Sequence, residues 1–230
     1  MPNVYVIIPH YNKWDLTHPR LWELYKHSKE HITEVLVVDD CSNDDMTEGG
    51  LRWWASMSVK QDFRVRAIRT ESNLHFLRAS NLGIDDILKK SEPEDIIILL
   101  SNDVLILRDF VGQVKDILSH PKKLVGGVLL SKDTGWNKFG DKVFPYLEGW
   151  LLAATAEGWK ELGGGFDTRY KFSDFEDVDL STTALSLGYE LVPLNNPALN
   201  HLGGMSIGYN PEREARTKAN RKLFEEKWAK

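Results

Sequence analysis

Short runs of β-branched and aliphatic residues alternate with longer stretches of helical character along this chain of 230 residues. The alternation predicts a mostly parallel sheet covered by helices on both faces, because parallel neighbours are joined by helical crossovers. The predicted strands are 4–8, 34–38, 64–69, 95–100, 124–130 and 189–193, and the predicted helices are 14–29, 46–57, 76–90, 109–119, 178–187 and 211–228. In such sheets, ligands bind beyond the carboxyl ends of the strands. Residues that directly follow the apolar runs are therefore the first candidates for a functional site.

The composition excludes several classes of protein. With 42% hydrophobic and 27% charged residues, the chain has the balance of a globular protein. Its 29 basic and 34 acidic residues give no general attraction to phosphate backbones, so stable nucleic-acid binding is not expected. Cys41 is the single cysteine, which favours a reducing compartment. The start lacks the pattern of a signal peptide and no apolar run approaches the roughly 20 residues of a membrane span, so a cytoplasmic protein is expected.

Polar residues end three of the predicted strands, as His10-Tyr11-Asn12, Asp39-Asp40 and Ser101-Asn102-Asp103. Successive residues of a strand end point to opposite faces, so only one of the two aspartates is expected to enter the rim pocket. The alternative for this pair is a turn with an N-cap. Asp103 follows the most apolar run, where an ionised carboxylate is costly unless it is paired or binds a cation. Mg²⁺ or Mn²⁺, shared with substrate phosphates, suits that position, and a simple cap of the next turn is the alternative.

Acidic residues are densest between Asp174 and Asp179, after the three glycines 163–165. One of these carboxylates can act as a general base toward an acceptor hydroxyl, whereas the alternative is a helix start that complements the helix dipole. His201 lies in a separate Gly-rich stretch and can complete a metal shell or contact a phosphate, although a lone histidine is more often an ordinary packed residue. Gly203, Gly204 and Ser206 would let the following loop fold against a diphosphate.

Several motifs are missing from the sequence. No G-x-G-x-x-G follows the first strand, which disfavours a dinucleotide enzyme, and no P-loop, zinc cysteine pair or G-x-S-x-G elbow occurs. A sugar nucleotidyltransferase would carry a Gly-rich segment where this chain has PHYNKWD. A receiver-like phosphoacceptor domain would be about half as long and would place its acidic pair on the first strand.

Six segments in order resemble the inverting glycosyltransferases of family 2, which have the GT-A fold. They are VIIPHYNK (6–13), VLVVDDCSND (35–44), NLHFLRASNLGI (73–84), IILLSNDV (97–104), GGGFDTRYKFSDFEDVDLS (163–181) and HLGGMS (201–206). The resemblance implies one GT-A domain over 1–208, with a nucleotide-binding half at 1–104 and an acceptor-binding half at 105–208. The remaining residues, 209–230, form a terminal helix packed on that domain through Ala215, Ala219, Leu223, Phe224 and Trp228.

The resemblance also implies a role for each matching residue. The nucleotide would contact Pro9, Tyr11, Asp39, Arg78, Asn81 and Asn102. Asp103 and His201 would hold Mn²⁺ or Mg²⁺, although the usual D-x-D motif reads S-N-D here and offers one carboxylate. Asp177 is the preferred base, and Glu176 stays open as the alternative. The acceptor would lie near Trp150, Gly164, Gly165 and Asp179.

The expected activity is metal-dependent, inverting transfer of a sugar from a nucleotide-sugar, most often a UDP-sugar, to a hydroxyl of a glycan or glycoconjugate. The alternative is a non-catalytic module of the same fold that binds nucleotide-sugars or glycans. Eight tryptophans are unusual for this length. The aromatic residues of segment 131–159 are expected to stack on acceptor sugar rings, with ordinary core packing as the alternative.

Overall fold

The computed structural model describes residues 1–194, 197–203 and 211–229. Its strands are β1 (Val4–His10), β2 (Glu34–Asp39), β3 (Val65–Arg69), β4 (Ile96–Leu100), β5 (Val104–Ile106), β6 (Lys123–Gly126), β7 (Leu129–Leu130), β8 (Lys138–Phe139), β9 (Lys142–Val143), β10 (Tyr146–Leu147), β11 (Leu151–Thr155), β12 (Glu190–Pro193) and β13 (Leu199–His201). Its helices are α1 (Trp14–Ser28), α2 (Thr47–Gln61), α3 (His75–Leu88), α4 (Val111–Leu118), α5 (Ala156–Glu161), α6 (Glu176–Ser186) and α7 (Pro211–Trp228), with a 3₁₀ turn at Lys29–His31.

A seven-stranded sheet forms the centre of the molecule, in the order β12-β6-β11-β4-β1-β2-β3. Strand β1 lies parallel to both β2 and β4, and the β2–β3 and β12–β6 pairs are also parallel. Strand β11 runs antiparallel to its neighbours β4 and β6. The mostly parallel sheet that the sequence predicts is confirmed.

Both faces of the sheet are apolar, which is why β1, β2 and β4 are buried along their whole length. Val6 and Ile8 pack with α1, α2 and α4 on one face, in a cluster that contains Trp54 and Val114. Ile7 and the alternate residues of the neighbouring strands pack with α3, α5, α6 and α7 on the other face. These two layers hold the carboxyl ends of β1, β2 and β4 at one edge.

Two features of the centre of the chain differ from the sequence-based prediction. The predicted strand 124–130 is two short strands in different sheets, β6 and β7. A side chain at Gly126 would lie 2.7 Å from Leu147, and one at Gly127 would lie 1.8 Å from the Trp150 ring. These close contacts explain why glycines separate β6 from β7. Strand β11, which the sequence reading did not identify, completes the sheet between β4 and β6.

The tryptophans serve several different purposes. Trp14, Trp22, Trp53 and Trp54 form an aromatic cluster between α1 and α2, with Trp22 and Trp54 ring centroids 4.9 Å apart. Trp159 is fully buried, and its indole N–H donates to the carbonyl of Ile97. Packing therefore accounts for these five.

Helix α7 packs on the body of the molecule, as expected, but through a different set of residues. Phe224 and Asn220 are buried, Leu223 and Trp228 pack partly on the core, and Ala215 and Ala219 stay exposed. The predicted contact residues were chosen from the spacing of apolar residues, and that spacing does not reveal a buried polar residue such as Asn220. Within the described part of the chain, no helix combines the length and apolarity needed to cross a bilayer.

Candidate active site

A cavity of about 750 Å³ opens at the carboxyl ends of β1, β2 and β4. Its walls include Pro9, Tyr11, Asn102, Asp103, Trp150, Glu176, Asp177 and His201, all of which the sequence nominates as site residues. A sheet with parallel neighbours places the residues that follow its strands at one edge, so segments distant in sequence meet here. The cavity thus brings together three of the six predicted nucleotide-binding residues with all of the predicted metal and catalytic residues.

Asp103 and His201 meet because two short strands pair. Strand β13 runs antiparallel to β5 with His201 opposite Val104, and the amide of Leu202 donates to the carbonyl of Asp103. The Nε2 atom of His201 lies 3.3 Å from Asp103 Oδ1, which also accepts a hydrogen bond of 2.5 Å from Ser101 Oγ. A carboxylate oxygen and an imidazole nitrogen therefore share one wall of the cavity.

The pKa of Asp103 reflects opposing influences. Burial raises the pKa, but the hydrogen bonds from His201 and Ser101 favour the charged form and bring the net pKa below its usual value. The carboxylate is consequently ionised and available as a ligand at neutral pH.

Glu176 and Asp177 begin helix α6 on another wall. Asp177 Oδ2 accepts a 3.0 Å hydrogen bond from the amide of Gly149, and Oδ1 accepts one of 2.8 Å from the amide of Val178. Burial, assisted by the charge of Glu148 and opposed by the hydrogen bonds from these amides, raises the pKa of Asp177 to about 6. These two contacts fix the direction of a carboxylate that can take up a proton near neutral pH.

Glu176 has a more enclosed environment than Asp177. Its side chain is buried, and within the described residues no group donates a hydrogen bond to its Oε2 atom. Burial, followed by the neighbouring charge of Asp177, raises the pKa of Glu176 well above its ordinary value. Both influences favour the protonated form of Glu176.

The two aspartates after β2 have different positions. Asp40 lines the cavity and accepts hydrogen bonds from the amide of Leu74 (2.7 Å) and from Thr70 Oγ1 (3.1 Å). Asp39 lies outside the cavity lining, where Arg69 Nη1 contacts its Oδ2 at 2.6 Å and the amide of Ser42 its Oδ1 at 2.9 Å. One aspartate of the pair faces the cavity, and it is not the one that the resemblance assigns to the base edge.

Asn81, Gly164 and Gly165 also lie outside the cavity lining. The Asn81 amide both donates to the carbonyl of Phe166 (2.7 Å) and accepts from its amide (2.8 Å). A side chain at Gly165, where φ is +139°, would come within 2.4 Å of Asn81 Oδ1. The pair of Asn81 and Gly165 thus ties α3 to the segment that follows α5.

Asp179 and Arg78 are likewise absent from the cavity lining. Asp179 is buried against α7, where it accepts from Trp228 Nε1 at 2.6 Å and from Tyr170 Oη at 3.1 Å, and contacts Lys227. These contacts occupy the Asp179 carboxylate, which was expected near the acceptor. Arg78 is an exposed residue of α3.

The structure adds cavity residues that sequence reasoning did not select: His75, Glu148, Arg213, Arg216 and Thr217. The side of α7 that carries Arg213 and Arg216 lines the cavity, which the alternating charges of this helix do not predict. Arg213 pairs with Asp174 at 2.7 Å, and the Arg216 guanidinium lies 4.4 Å from the centroid of the Phe172 ring. The residue pattern of α7 does not predict these contacts, because their partners are distant in sequence. Gly204 and Ser206 lie outside the described residues.

Known structures share this architecture. A mannosyltransferase from Pyrobaculum calidifontis, solved with GDP-Man and Mn²⁺, is 25% identical, with a TM-score of 0.63 over 84% of this chain and 54% of its own. GalNAc-T7, solved with UDP, GalNAc and Mn²⁺, is 15% identical, with a TM-score of 0.68 over 97% of this chain and 48% of its own. Residues 1–349 of S. aureus TarS, solved with UDP, are 16% identical, with a TM-score of 0.62 over 96% of this chain and 64% of that one. The chain spans about half the length of the first two.

Comparison with curated protein sequences gave no significant match. The sequence profile described as glycosyl transferase family 2 matches residues 5–174, which is most of the sheet and the cavity up to Asp174. The fold is that of the GT-A glycosyltransferases, as the resemblance implies. The chain belongs to glycosyl transferase family 2.

Proposed function

We propose that this chain transfers a sugar from a nucleotide-sugar, a UDP-sugar in the first instance, to a hydroxyl of a glycan or glycoconjugate, with inversion at the anomeric carbon. One observation carries the proposal: a paired acid (Asp103 with His201) and an oriented acid of raised pKa (Asp177) line the same cavity. The family match and the nucleotides bound by structural neighbours support a glycosyl donor.

The charge of the cavity supports a cation as part of the donor complex. Of the residues that the structure describes, eight acidic ones line it, namely Asp40, Asp103, Glu148, Asp174, Glu176, Asp177, Glu212 and Glu214, against the two arginines Arg213 and Arg216. A nucleoside diphosphate would meet strong repulsion in such a cavity without added positive charge. A divalent ion supplies that charge when it binds between protein carboxylates and the diphosphate.

The donor set fits Mn²⁺ or Mg²⁺ bound together with a diphosphate. Among the residues that the structure describes, no three His, Cys, Asp or Glu side chains form a complete metal cage. Ions of this kind commonly take one or two protein ligands and fill the other positions with water and phosphate oxygens. Asp103 and His201 would hold the ion, which when bound neutralises charge that develops on the leaving diphosphate.

Asp177 is the proposed base. Its carboxylate takes the proton of the acceptor hydroxyl while the acceptor oxygen bonds to the anomeric carbon and the bond from that carbon to the diphosphate oxygen breaks. The electron pair of the broken bond leaves with the nucleoside diphosphate. Burial favours the protonated form of Glu176, which cannot accept a proton and adds no negative charge beside Asp177, so Glu176 is the poorer base.

The nucleotide is proposed to lie between the ends of β1 and β4, against Pro9, Tyr11 and Asn102. Tyr11 is 43% exposed, so its ring is available to a base. Trp136, which is 47% exposed, and Trp150 also line the cavity and are the aromatic residues proposed to face a sugar acceptor. This division assigns the halves of the cavity to donor and acceptor.

The test is a panel of UDP-, GDP- and dTDP-sugars, each with Mn²⁺, Mg²⁺ or EDTA, read by thermal shift and by release of nucleoside diphosphate. We expect a metal-dependent shift with UDP-sugars and slow donor hydrolysis by the wild type. Asp103→Ala should lose both, while Asp177→Asn should bind the donor and turn it over about 10²- to 10⁴-fold more slowly. Asp116→Asn, an exposed residue of α4, is the matched control and should resemble the wild type.

Two outcomes would redirect the proposal. A shift with GDP- or dTDP-sugars alone would change the donor and leave the chemistry in place. Metal-dependent donor binding without transfer or hydrolysis, equal in wild type and Asp177→Asn, would favour the non-catalytic binding module.

A further inference from the structure

Two consecutive residues of α7 each hold a loop of the cavity wall. Asn220 is only 2% exposed, and its Nδ2 atom donates to the carbonyls of Lys171 (3.1 Å), Ser173 (2.9 Å) and Asp174 (3.0 Å). Its Oδ1 atom accepts from the amide of Lys171 at 3.1 Å. A single side-chain amide thereby satisfies four backbone groups of the segment 171–174.

The segment that Asn220 holds has an unfavourable backbone. Phe172, Asp174 and Phe175 have φ values of +65°, +76° and +75°, in the left-handed region that non-glycine residues avoid. Such conformations persist only where surrounding contacts impose them, and they concentrate at functional sites. Arg213 and Thr217, both at 2.7 Å from the Asp174 carboxylate, add two further contacts from α7. Glu176 and Asp177 follow this segment directly, so its conformation sets where they point.

Arg221 holds the second loop. Its Nη1 atom donates to the carbonyls of Gly135 (3.2 Å) and Trp136 (2.7 Å), and Nη2 donates to that of Lys138 (2.7 Å). The guanidinium also lies 4.4 Å from the centroid of the Phe139 ring. The Trp136 ring is 47% exposed on the cavity wall, so Arg221 fixes the loop that presents an aromatic face.

We propose that α7 builds the acceptor half of the active site, with Asn220 as the positioning residue for Glu176 and Asp177 and Arg221 as the positioning residue for Trp136. The inference rests on the proposed function, which supplies the reaction that these residues would serve. It goes beyond the family assignment, because the matching profile ends at residue 174 and α7 begins at Pro211.

The choice of side chain makes the proposal specific. Asparagine offers a donor and an acceptor on one rigid group, as the mixed carbonyl and amide surface of the segment requires. Aspartate has the same shape but donates no hydrogen bond, and it would face three carbonyl oxygens. Asn220→Asp therefore removes the clamp without opening a cavity.

The experiment compares wild type, Asn220→Asp, Thr217→Val and Arg221→Gln by donor hydrolysis, nucleotide affinity and hydrogen exchange. Asn220→Asp should lower kcat for hydrolysis by about 100-fold, as expected for misplaced reacting groups, with UDP affinity unchanged. Exchange should accelerate in 167–176 and not in β1 or β4. Thr217→Val keeps Asn220 and should show a smaller change of the same kind, which covers the case that Asn220→Asp does not fold.

Arg221→Gln separates the two loops. Exchange should accelerate in 132–139, while hydrolysis, which uses water as acceptor, should change less than threefold. Lys222→Ala, an exposed neighbour on the same helix, is the control and should match the wild type in every measurement.

The acidic limb of the pH profile distinguishes positioning from a general loss of stability. A loosened segment admits water to Asp177, so the limb should move to lower pH in Thr217→Val, which adds no charge, and not in Lys222→Ala. A folded Asn220→Asp variant with wild-type kcat and pH profile would overturn the inference and leave the proposed function standing. A wild type that neither binds nor cleaves any nucleotide-sugar would overturn the proposed function and the inference with it.

Discussion

The indole of Trp150 stacks on the imidazole of His201, with ring centroids 5.3 Å apart and an angle of 21° between the planes. The residue before it, Gly149, donates its amide to Asp177. The two residues that directly precede β11 therefore contact the proposed base and the proposed metal ligand. Because β11 lies between β4 and β6, the central sheet itself sets the relation between the two halves of the site.

Replacing Trp150 should weaken metal binding. Without the stacked indole the His201 ring is free to rotate, and loss of such supporting contacts typically lowers metal affinity about 10- to 100-fold. We expect Trp150→Ala to raise the Mn²⁺ concentration for half-maximal donor hydrolysis by that factor, and Trp150→Phe to raise it less. A Trp150→Ala variant that folds and shows a wild-type Mn²⁺ titration would rule out this role of the indole.

The pH dependence of turnover should report the proposed base. Asp177 must be ionised to accept the acceptor proton, and its pKa is raised to about 6, so kcat should increase with pH through that region. Asp177→Asn should lose about 10²- to 10⁴-fold in kcat, and its residual activity should lack this limb. The measurement is donor turnover between pH 5 and pH 8; a limb that survives in Asp177→Asn would assign it to another group.

Glu176→Gln should stabilise the protein at alkaline pH. The pKa of Glu176 is raised above its ordinary 4.5 in the folded state, so the folded state binds a proton that the unfolded state releases. Its contribution to stability is full below pH 4.5 and is lost as pH rises through the folded pKa. Glutamine avoids that loss, and each pKa unit corresponds to about 1.4 kcal/mol, or about 3–5 °C in Tm for a chain of this size.

The check is thermal unfolding of wild type and Glu176→Gln at pH 5 and pH 8. The gap in Tm should widen toward pH 8, whereas Glu225→Gln, on the exposed side of α7, should show no gap at either pH. A variant less stable than wild type at pH 8 would contradict the burial of a neutral carboxyl group.

His10 links the strand ends beneath the cavity. Its Nδ1 and Nε2 atoms each lie 2.7 Å from a hydroxyl, of Thr17 and Thr47 respectively, and Asn102 donates to Thr17 Oγ1. His10→Leu would leave two hydroxyl groups without this partner, at a cost of about 2–4 kcal/mol in the free energy of unfolding. Burial lowers the pKa of His10, so its contribution is full above pH 6.5 and is lost as pH falls through the folded pKa.

Urea unfolding at pH 8 and pH 5.5 tests this prediction. The difference between wild type and His10→Leu should be larger at pH 8, and His120→Leu, an exposed histidine, should cost little at either pH. Equal differences at both pH values would mean that His10 does not enter the folded state neutral.

Removing the divalent ion should abolish donor binding. The excess of acids in the cavity repels a diphosphate, so EDTA should lower wild-type turnover by about 100-fold or more, and Mn²⁺ should restore it. Mn²⁺ should not restore the turnover of Asp103→Ala. Full activity in EDTA, verified by metal analysis of the protein, would remove the cation from the proposal.

Much of the fold and part of the site could be predicted from the sequence. The strands at 4–8, 34–38 and 95–100 were recognisable because they are buried on both faces and read as continuous apolar runs. Asp103 and the acids at the start of α6 could be selected from the sequence, because a charge beside an apolar run is costly unless it is paired or binds a cation. Strand β11 was missed because its sequence, LLAAT, carries neither alternation nor a clear boundary.

The remaining site residues depend on contacts between distant segments. Asn81 and Asp179 fit the family pattern equally well as ligand-binding or structural residues, and only their partners Phe166 and Trp228 show which side chains are occupied. The choice between Asp39 and Asp40 rests on Arg69, which comes from the neighbouring strand. The residues around each of these positions in the sequence do not identify such partners.

By itself, the sequence determined the α/β architecture, the family and the strand ends where chemistry occurs, because hydrophobic periodicity and short motifs are local properties. The tertiary structure alone decided that His201 lies beside Asp103, that Gly149 orients Asp177, and that α7 belongs to the cavity wall. These relations arise when the strands pair and helix α7 packs, and the first of them joins residues 98 positions apart. The charge pattern of α7 does not show which side of the helix lines the cavity; the surface on which the helix packs decides this.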